Sequence, residues 1–272
     1  MPFACIAMGA PVRGSSQSSL VDCHTLWIGG SLPPLFVSCL LSFVRAGHRV
    51  IVHAYQNLDL PREIEVRDAA RILPPDRLDR LSGAARTLLA DYFRYELLDQ
   101  IDCLWIDVDL ICIRPIDIDA PYIFGYESAS QINNAVLRAP PGSNLLQNLR
   151  ALCHADNAII PPWFGPVRRA RYRIKKLVGV HRDLTTLPYA STASRALTWY
   201  VGAEGLQHFV QPRDVFYPLS YLELGRLLDP KFELETIITP RTRCIHLWNG
   251  CLQMSTVERS KPLQRILTAM PS

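Results

Sequence analysis

The chain has 272 residues, of which 49% are hydrophobic and 20% are charged, a balance that excludes a disordered protein and allows a substantial core. The formal net charge of +4 is too small to indicate a nucleic-acid partner, and no nucleic-acid-binding module is visible. No apolar run approaches the ~20 residues of a transmembrane segment. The eight cysteines include no Cys-x-x-Cys pair, which indicates small core residues in a reducing compartment. A cytoplasmic protein is therefore expected.

The N-terminal segment does not have the order of a secretory signal. Its weakly apolar stretch from Phe3 to Val12 precedes the first basic residue and is followed by a Ser-rich stretch at 15–19. We predict a flexible leader over residues 1–23. No later linker divides the chain, so residues 24–272 are expected to form a single domain.

The elements after the leader predict an α/β fold. A strand at 24–29, a helix from Pro33 to Ala46 that ends at Gly47, and a strand from Arg49 to Tyr55 have the spacing of a parallel sheet with right-handed crossovers. Further strands are predicted within 62–82 and at 104–110, 122–126, 132–137 and 243–248, and further helices at 83–100, 143–154 and 190–202. The expected fold is a central, mostly parallel sheet flanked by helices.

Two carboxylates follow the apolar start of the segment Leu-Trp-Ile-Asp-Val-Asp-Leu at 104–110. Alternate side chains of a strand share a face, so Asp107 and Asp109 can converge on one hard divalent cation, of a kind that is often shared with substrate phosphates. The alternative is a structural strand that leads into a polar turn, since a loop containing Pro115 follows.

The preceding helix carries Asp91 and Arg94 three residues apart, and therefore on one face. They could form a solvated ion pair worth only a few tenths of a kcal/mol. They could also belong to the same site as the two carboxylates, since the helix leads directly into their strand.

Together, the Asp-Tyr-Phe-Arg-Tyr-Glu-Leu-Leu helix at 91–98 and the Trp-Ile-Asp-Val-Asp segment at 105–109 resemble the core of the DXD sugar-binding family of glycosyltransferases. The resemblance implies a GT-A type nucleotide-sugar-binding domain, with a metal at Asp107 and Asp109. It also implies that Asp91 accepts hydrogen bonds from sugar hydroxyls and that Arg94 contacts sugar or phosphate.

Three more segments resemble this family and the related clostridial glucosylating toxins, in the same chain order. Leu-Trp-Ile-Gly-Gly at 26–30 implies that Trp27 stacks on the base and that Gly29 lets the nucleotide approach the backbone. Gln-Ile-Asn-Asn-Ala-Val-Leu at 131–137 implies that Asn134 approaches the donor sugar, with Asn133 as the candidate if the register is shifted by one.

The third of these segments is Ile-His-Leu-Trp-Asn at 245–249, which implies that His246 and Asn249 contact the metal and that Trp248 lies beside the diphosphate. Trp27 and His246 could instead be ordinary core residues.

The chain also departs from the family pattern. Ala90 stands where the family typically has Ser, and residues 99–102 stand where it typically has a Gly-Gly turn. Residues 192–198 stand where family members often have Thr-Gly-Pro before a helix. The last segment could change the donor or acceptor pocket.

The resemblance implies a retaining hexosyltransferase of polysaccharide biosynthesis that uses a nucleoside-diphosphate sugar, expected to be a UDP-sugar, and a glycan or lipid-linked acceptor. A non-catalytic protein of this fold is one alternative. A haloacid-dehalogenase phosphatase is another, although the chain has no Asp-Asp dipeptide for its later acidic pair. The basic run 168–176 is either a solvated helix face or a contact for an anionic acceptor or the inner membrane surface.

Overall fold

The computed structural model describes residues 20–76, 86–153, 160–178, 191–249 and 260–269. The strands are β1 (Cys23–Trp27), β2 (Val50–Ala54), β3 (Ile64–Asp68), β4 (Leu104–Ile106), β5 (Leu110–Cys112), β6 (Ile123–Tyr126), β7 (Ile132–Arg138), β8 (Val210–Gln211) and β9 (Cys244–His246). The α-helices are α1 (Pro34–Arg45), α2 (Arg86–Gln100), α3 (Asn144–Cys153), α4 (Pro166–Leu177), α5 (Ser194–Ala203), α6 (Arg213–Phe216) and α7 (Lys261–Ala269). Short 3₁₀ segments occupy Ala69–Arg71, Gln207–Phe209, Tyr221–Leu228 and Leu234–Ile237.

Seven strands form the central sheet in the order β3-β2-β1-β4-β7-β6-β8. Within this sheet, β7 alone runs against the other strands, because it pairs antiparallel with both β4 and β6. A separate two-stranded sheet pairs β5 with β9. This architecture confirms the predicted α/β class with a mostly parallel sheet flanked by helices, and it is consistent with the expected GT-A type.

The crossover helix α1 follows the predicted pattern closely. Pro34 occupies the first turn, where its missing N–H costs nothing, and Phe36, Leu40 and Phe43 are fully buried against the sheet. Each such side chain contributes about 1.5–3 kcal/mol through burial. Gly47 then turns the chain with a φ of +91°, a conformation that favours glycine.

Helix α2 is enclosed rather than exposed on one face. Its aromatic residues Tyr92, Phe93 and Tyr95 are buried, and Asp91 and Arg94 are also buried. It packs against β1, β4 and α3. The alternative in which Asp91 and Arg94 form a solvated surface pair is therefore wrong.

The predicted continuous strand 104–110 is also wrong. Strand β4 ends at Ile106, and the backbone N–H of Leu110 donates to the Asp107 carbonyl (3.3 Å), which closes a turn. Leu110 then starts β5 in the second sheet. The carboxylates of Asp107 and Asp109 are therefore brought together by a turn and not by strand alternation.

Other boundaries differ by a few residues. The closing strand ends at His246, two residues before Trp248, which has a positive φ of 51°, and the helix predicted from 190 begins at Ser194. Strand β8 and helices α6 and α7 were not predicted. Most of the predicted leader, residues 1–19, and the predicted helix start at 83–85 lie outside the described residues. Within the described part of the chain, no helix has the length and apolar character required to cross a bilayer.

Candidate functional site

Three side chains of types that can bind a metal meet at the carboxyl edge of the central sheet. Asp107 and Asp109 come from the turn after β4, and His246 is the last residue of β9. One ligand atom from each of these residues lies within 4.8 Å of the others. Open α/β sheets place ligand sites at this edge, so the structure joins residues that are 139 positions apart in the sequence at a favourable place.

Asp107 is held through one carboxylate oxygen and open at the other. Oδ1 accepts hydrogen bonds from the Arg94 guanidinium and from the Trp105 indole N–H, both at 2.7 Å. No described residue donates to Oδ2, and the side chain is 28% exposed. Asp107 therefore presents an oriented oxygen toward solvent, as a metal site requires.

Arg94 lies beneath Asp107. Its other terminal nitrogen donates to the carbonyl of Asn134 (2.7 Å), and its Cζ atom lies 4.7 Å from the centre of the Trp105 ring. Burial alone would lower the pKa of Arg94, but the neighbouring carboxylates of Asp107 and Asp91 raise it. Its Nε atom is buried without a partner among the described residues. The described contacts of Arg94 thus orient Asp107.

Asp109 and His246 form a buried pair. The His246 Nε2 atom lies 3.3 Å from Asp109 Oδ1, and the backbone N–H of Asn249 donates to Oδ2 (2.8 Å). Burial opposes charge on both groups, yet their mutual attraction and hydrogen bonds lower the pKa of Asp109 and raise the pKa of His246. The pair is therefore held in its charged form over a wider pH range than either group alone.

Trp248 covers this pair. Its ring lies 4.3 Å from that of His246, and its indole N–H donates to the Leu219 carbonyl (2.9 Å). The left-handed backbone at Trp248 turns the chain back, so that the Asn249 N–H points at Asp109. In this structure Asn249 therefore contacts Asp109 through its backbone.

Asp91 and Asn134 belong to the same buried network. The Asn134 amide donates to Asp91 Oδ1 (2.9 Å), and the Thr192 hydroxyl donates to Oδ2 (2.9 Å). Burial raises the pKa of Asp91, although Arg94 and these hydrogen bonds oppose the rise. A carboxylate has about four acceptor positions, so Asp91 keeps capacity for further donors.

The two asparagines of β7 lie on opposite sides of the strand. Asn133 donates to Glu127 and accepts from the Ala135 N–H (2.7 Å), whereas Asn134 bonds to Asp91. Glu127 interacts electrostatically with His246, and burial raises the pKa of Glu127. Asn134 therefore joins the Arg94 side of the site, and Asn133 joins the His246 side.

Trp27 ends β1, the neighbour of β4 in the sheet. In the pairing of β1 with β4, Cys23 lies opposite Leu104. Trp27 therefore lies one residue beyond the level of Asp107, at the same edge of the sheet. Its ring is half-buried against Phe36, and its indole N–H donates to the Gly30 carbonyl (2.8 Å). Gly29, with a φ of +148°, lets the backbone bend closely around this indole.

The ligand atoms of Asp107, Asp109 and His246 suit a divalent cation. Two carboxylates and an imidazole suit Mn²⁺ or Mg²⁺, with Mn²⁺ favoured by the imidazole nitrogen. The Nδ1 atom of His246 is buried without a partner among the described residues, and a bound cation would displace an imidazolium proton so that His246 could serve as a ligand. Asp107, Asp109 and His246 would hold the ion.

Three contributors to the site were missed at the sequence level. Trp105 is two residues before Asp107, so the alternation predicted over 104–110 could have identified it. No sequence pattern marked Glu127 or Tyr217 as a site residue. The contact of Tyr217 with His246 (ring centres 5.9 Å apart) depends on segments that are distant in sequence.

No protein-family model matches the chain, and no curated protein matches it. Among solved structures, the chain is similar to one named "PaToxG Glycosyltransferase", with a TM-score of 0.42 and 11% sequence identity. The alignment covers 91% of this chain and 87% of that chain. A likeness at this level assigns no activity, so the function is argued from the site.

Proposed function

We propose that this protein is a metal-dependent glycosyltransferase that moves a hexosyl residue from a nucleoside-diphosphate sugar, a UDP-sugar, to a glycan or lipid-linked acceptor. The observation that carries the proposal is the convergence of Asp107, Asp109 and His246 within 4.8 Å, with Asp107 locked by Arg94. These three metal ligands match a cation that bridges two phosphates.

In the proposed reaction, an acceptor hydroxyl oxygen forms a bond to the anomeric carbon while the bond from that carbon to the phosphate oxygen breaks. The nucleoside diphosphate leaves with the electron pair, and its phosphate takes the acceptor proton, which gives retention by attack on the same face. A divalent cation bound here would neutralise the charge that develops on the diphosphate. The protein's own contribution is to fix the two carboxylates and to position the donor.

The donor would lie along the carboxyl edge of β1, β4 and β7. Trp27 would stack on the base, with Gly29 beside it, and Asp91 and Asn134 would meet the sugar hydroxyls. The partial exposure of Trp27 and the remaining acceptor capacity of Asp91 support this placement.

The decisive experiment measures Mn²⁺-dependent hydrolysis of a panel of UDP- and GDP-sugars by the purified protein. We expect one donor to be hydrolysed and Asp109→Asn to abolish this turnover. Asp102→Asn, whose carboxylate is 57% exposed near the same strand and pairs with Arg138, is the matched control. Hydrolysis that persists in Asp109→Asn would refute the site. Donor binding without turnover in the wild-type protein would instead favour the non-catalytic alternative.

We also propose that helix α4 places the enzyme at the inner membrane surface. Val167, Ile174 and Val178 recur at helical spacing on one face and are 84%, 60% and 68% exposed. Leu177, beside them, is 85% exposed. An amphipathic helix that turns its apolar face to solvent and carries cations beside it has the composition of an interfacial helix.

The cations of α4 add a place for an anionic headgroup. Arg168, Arg171 and Lys175 line a cavity of about 240 Å³ together with Tyr172. This side of the helix contacts the preceding loop, since Tyr172 packs on Phe164 with ring centres 5.6 Å apart. Each basic residue near an anionic surface contributes about 1 kcal/mol.

Vesicle flotation tests this placement. We expect binding to phosphatidylcholine vesicles that contain phosphatidylserine, weaker binding to phosphatidylcholine alone, and loss of binding in Ile174→Glu. Leu222→Glu, at an apolar position that is 79% exposed elsewhere, is the control. Equal flotation of the two variants would rule out α4 as the contact.

A further inference from the structure

A second cavity lies beside the proposed donor site. It has a volume of about 590 Å³, within the usual range for ligand pockets, and lies between the outer face of α5 and the residues that precede β7. The backbone N–H of Ile132, the first residue of β7, donates to the Thr198 hydroxyl of α5 (2.9 Å), so these two walls are connected.

The cavity is linked to the residues of the candidate site. Thr192, just before α5, donates to Asp91, and β7 carries Asn134. Because β7 runs antiparallel to β4, it begins at the edge where β4 ends. The carbonyl of Ala135 accepts a hydrogen bond from the backbone N–H of Asp107. Gln131, which lines the cavity, is four residues earlier and so lies roughly 14 Å beyond this level.

Two indole rings form the aromatic part of the cavity. Trp163 and Trp199 have ring centres 6.2 Å apart with an angle of 49° between their planes. Trp163 is also packed edge-on against Phe164 and Tyr200, which fixes its orientation. Trp199 is 44% exposed and lines the cavity, so part of its ring surface is open to a ligand there.

Polar groups accompany these rings. The Nε1 atom of Trp163 is buried and has no hydrogen-bond partner among the described residues. Since this N–H exposes almost no surface, it is not available to a ligand in the cavity. Gln131 and the exposed Arg195 add donors at the rim of the cavity.

This combination matches a sugar ring. A pyranose has an apolar C–H face that can lie against the electron-rich face of an indole, and hydroxyls around its perimeter that can bond with amide and guanidinium groups. An alkyl chain would cover the rings but offer no partner to Gln131 and Arg195. A simple anion would use Arg195 and leave both rings uncovered.

We propose that the Trp163–Trp199 cavity binds a saccharide unit of the acceptor, with Trp199 as the stacking surface. This rests on the proposed transferase function and specifies the acceptor as a glycan at this point. The 192–198 segment, where the chain departs from the family pattern, supplies part of this cavity through Arg195 and Thr198. Its sequence would then determine acceptor choice.

The test uses the full-length protein and calorimetric titration with maltotriose, cellotriose, chitotriose and mannotriose. We expect at least one to bind, Trp199→Ala to weaken that binding by roughly tenfold or more, and Trp199→Phe to retain most of it, because an aromatic face remains. Leu222→Ala, an exposed apolar position outside the cavity, should bind as the wild type does. Binding of none of the four sugars, or equal binding by Trp199→Ala, would overturn the proposal. So would Trp199-dependent binding of decanoate without any sugar.

Donor hydrolysis without acceptor separates this proposal from the proposed function. Trp199→Ala should hydrolyse the donor at the wild-type rate while transfer to the bound saccharide falls through a higher acceptor KM. Absence of hydrolysis in the wild type would refute the transferase function and hence the acceptor role, while Trp199-dependent saccharide binding would still stand as a separate result. Normal hydrolysis with an unchanged acceptor KM in Trp199→Ala would refute the cavity assignment alone.

Discussion

Arg94 donates a 2.7 Å hydrogen bond to Asp107 Oδ1 from a side chain that is only 5% exposed. The same guanidinium holds the carbonyl of Asn134 on the neighbouring strand β7. A helix, a strand end and a turn are thereby fixed to one another beneath the proposed metal site. A planar fork can make both bonds at once, whereas a lysine ammonium is a single point charge.

Arg94→Lys should therefore lower donor hydrolysis by at least roughly tenfold, or about 1.4 kcal/mol of transition-state stabilisation. The charge remains, so the loss would come from the position of Asp107. Steady-state kinetics at saturating Mn²⁺ measure it, and circular dichroism reports the fold. Arg138→Lys, which alters an exposed pair with Asp102, is the control. Full activity in Arg94→Lys would mean that the fork has no role in the reaction.

Asp91 should couple to Arg94 in a double-mutant cycle. Asp91 Oδ1 lies 3.6 Å from the Arg94 guanidinium, and both groups contact Asn134. Residues within one buried network give interaction energies of about 0.5–3 kcal/mol, compared with a few tenths for exposed helix pairs. Hydrolysis rates of Arg94→Lys, Asp91→Ala and the double variant give the value. Strictly additive losses would show that the two side chains act separately.

His246→Ala should weaken Mn²⁺ binding by at least roughly tenfold, because the site loses its only nitrogen donor among the described ligands. Calorimetric titration of Mn²⁺ measures the change without any donor present. His208 is exposed and lies in the 3₁₀ segment just before β8, so His208→Ala should bind Mn²⁺ normally. If both variants keep the wild-type affinity, His246 is a core histidine and not a metal ligand.

The sequence identified Asp107, Asp109 and His246 but not the way in which they meet. Leu110 is apolar, so the run 104–110 has the composition of one strand. The chain turns because Leu110 pairs with His246 in a separate sheet, a partner 136 residues away that periodicity cannot reveal. Local patterns did locate α1, because its buried residues recur along one helical face, and Gly47 marks its end.

The environment of Arg94 was equally inaccessible from local sequence. Helical spacing places Asp91 and Arg94 on one face, but it does not show what that face contacts. Helix α2 is enclosed by β4, α3 and the chain around Thr192, whose carbonyl accepts the Tyr95 hydroxyl (2.7 Å). Burial of a charged pair is decided by such tertiary contacts, which arise from segments far along the chain.

Trp27→Ala should weaken UDP binding by roughly 1–3 kcal/mol, the range for stacking of a base on an aromatic ring. Some stability should also be lost, because the ring packs on Phe36 at 5.8 Å. Calorimetric titration with UDP gives the affinity, and thermal unfolding gives the stability. Trp199→Ala, in the other cavity, should leave UDP affinity unchanged. Thermal destabilisation of Trp27→Ala with wild-type UDP affinity would return Trp27 to a packing role.

His24 and His53 should make the fold sensitive to acid. Their rings lie on neighbouring strands with His24 Nδ1 3.0 Å from His53 Nε2, buried beside Phe93. Burial lowers the pKa of His24 to about 4, helped by the charge of Arg67, and it lowers the pKa of His53 to about 3, helped by His24 and Arg67. Glu65 opposes both shifts.

Since both folded-state pKa values lie below the unfolded value of 6.5, the unfolded chain binds more protons as the pH falls. Stability from this pair is complete above about pH 6.5 and is lost as the pH falls toward about 4, at up to about 1.4 kcal/mol per pH unit for each ring. Denaturant unfolding at a series of pH values measures the slope. His24→Phe with His53→Phe should reduce it between pH 6.5 and pH 5, where most carboxylates remain ionised. An unaltered slope in the double variant would assign the acid sensitivity to other groups.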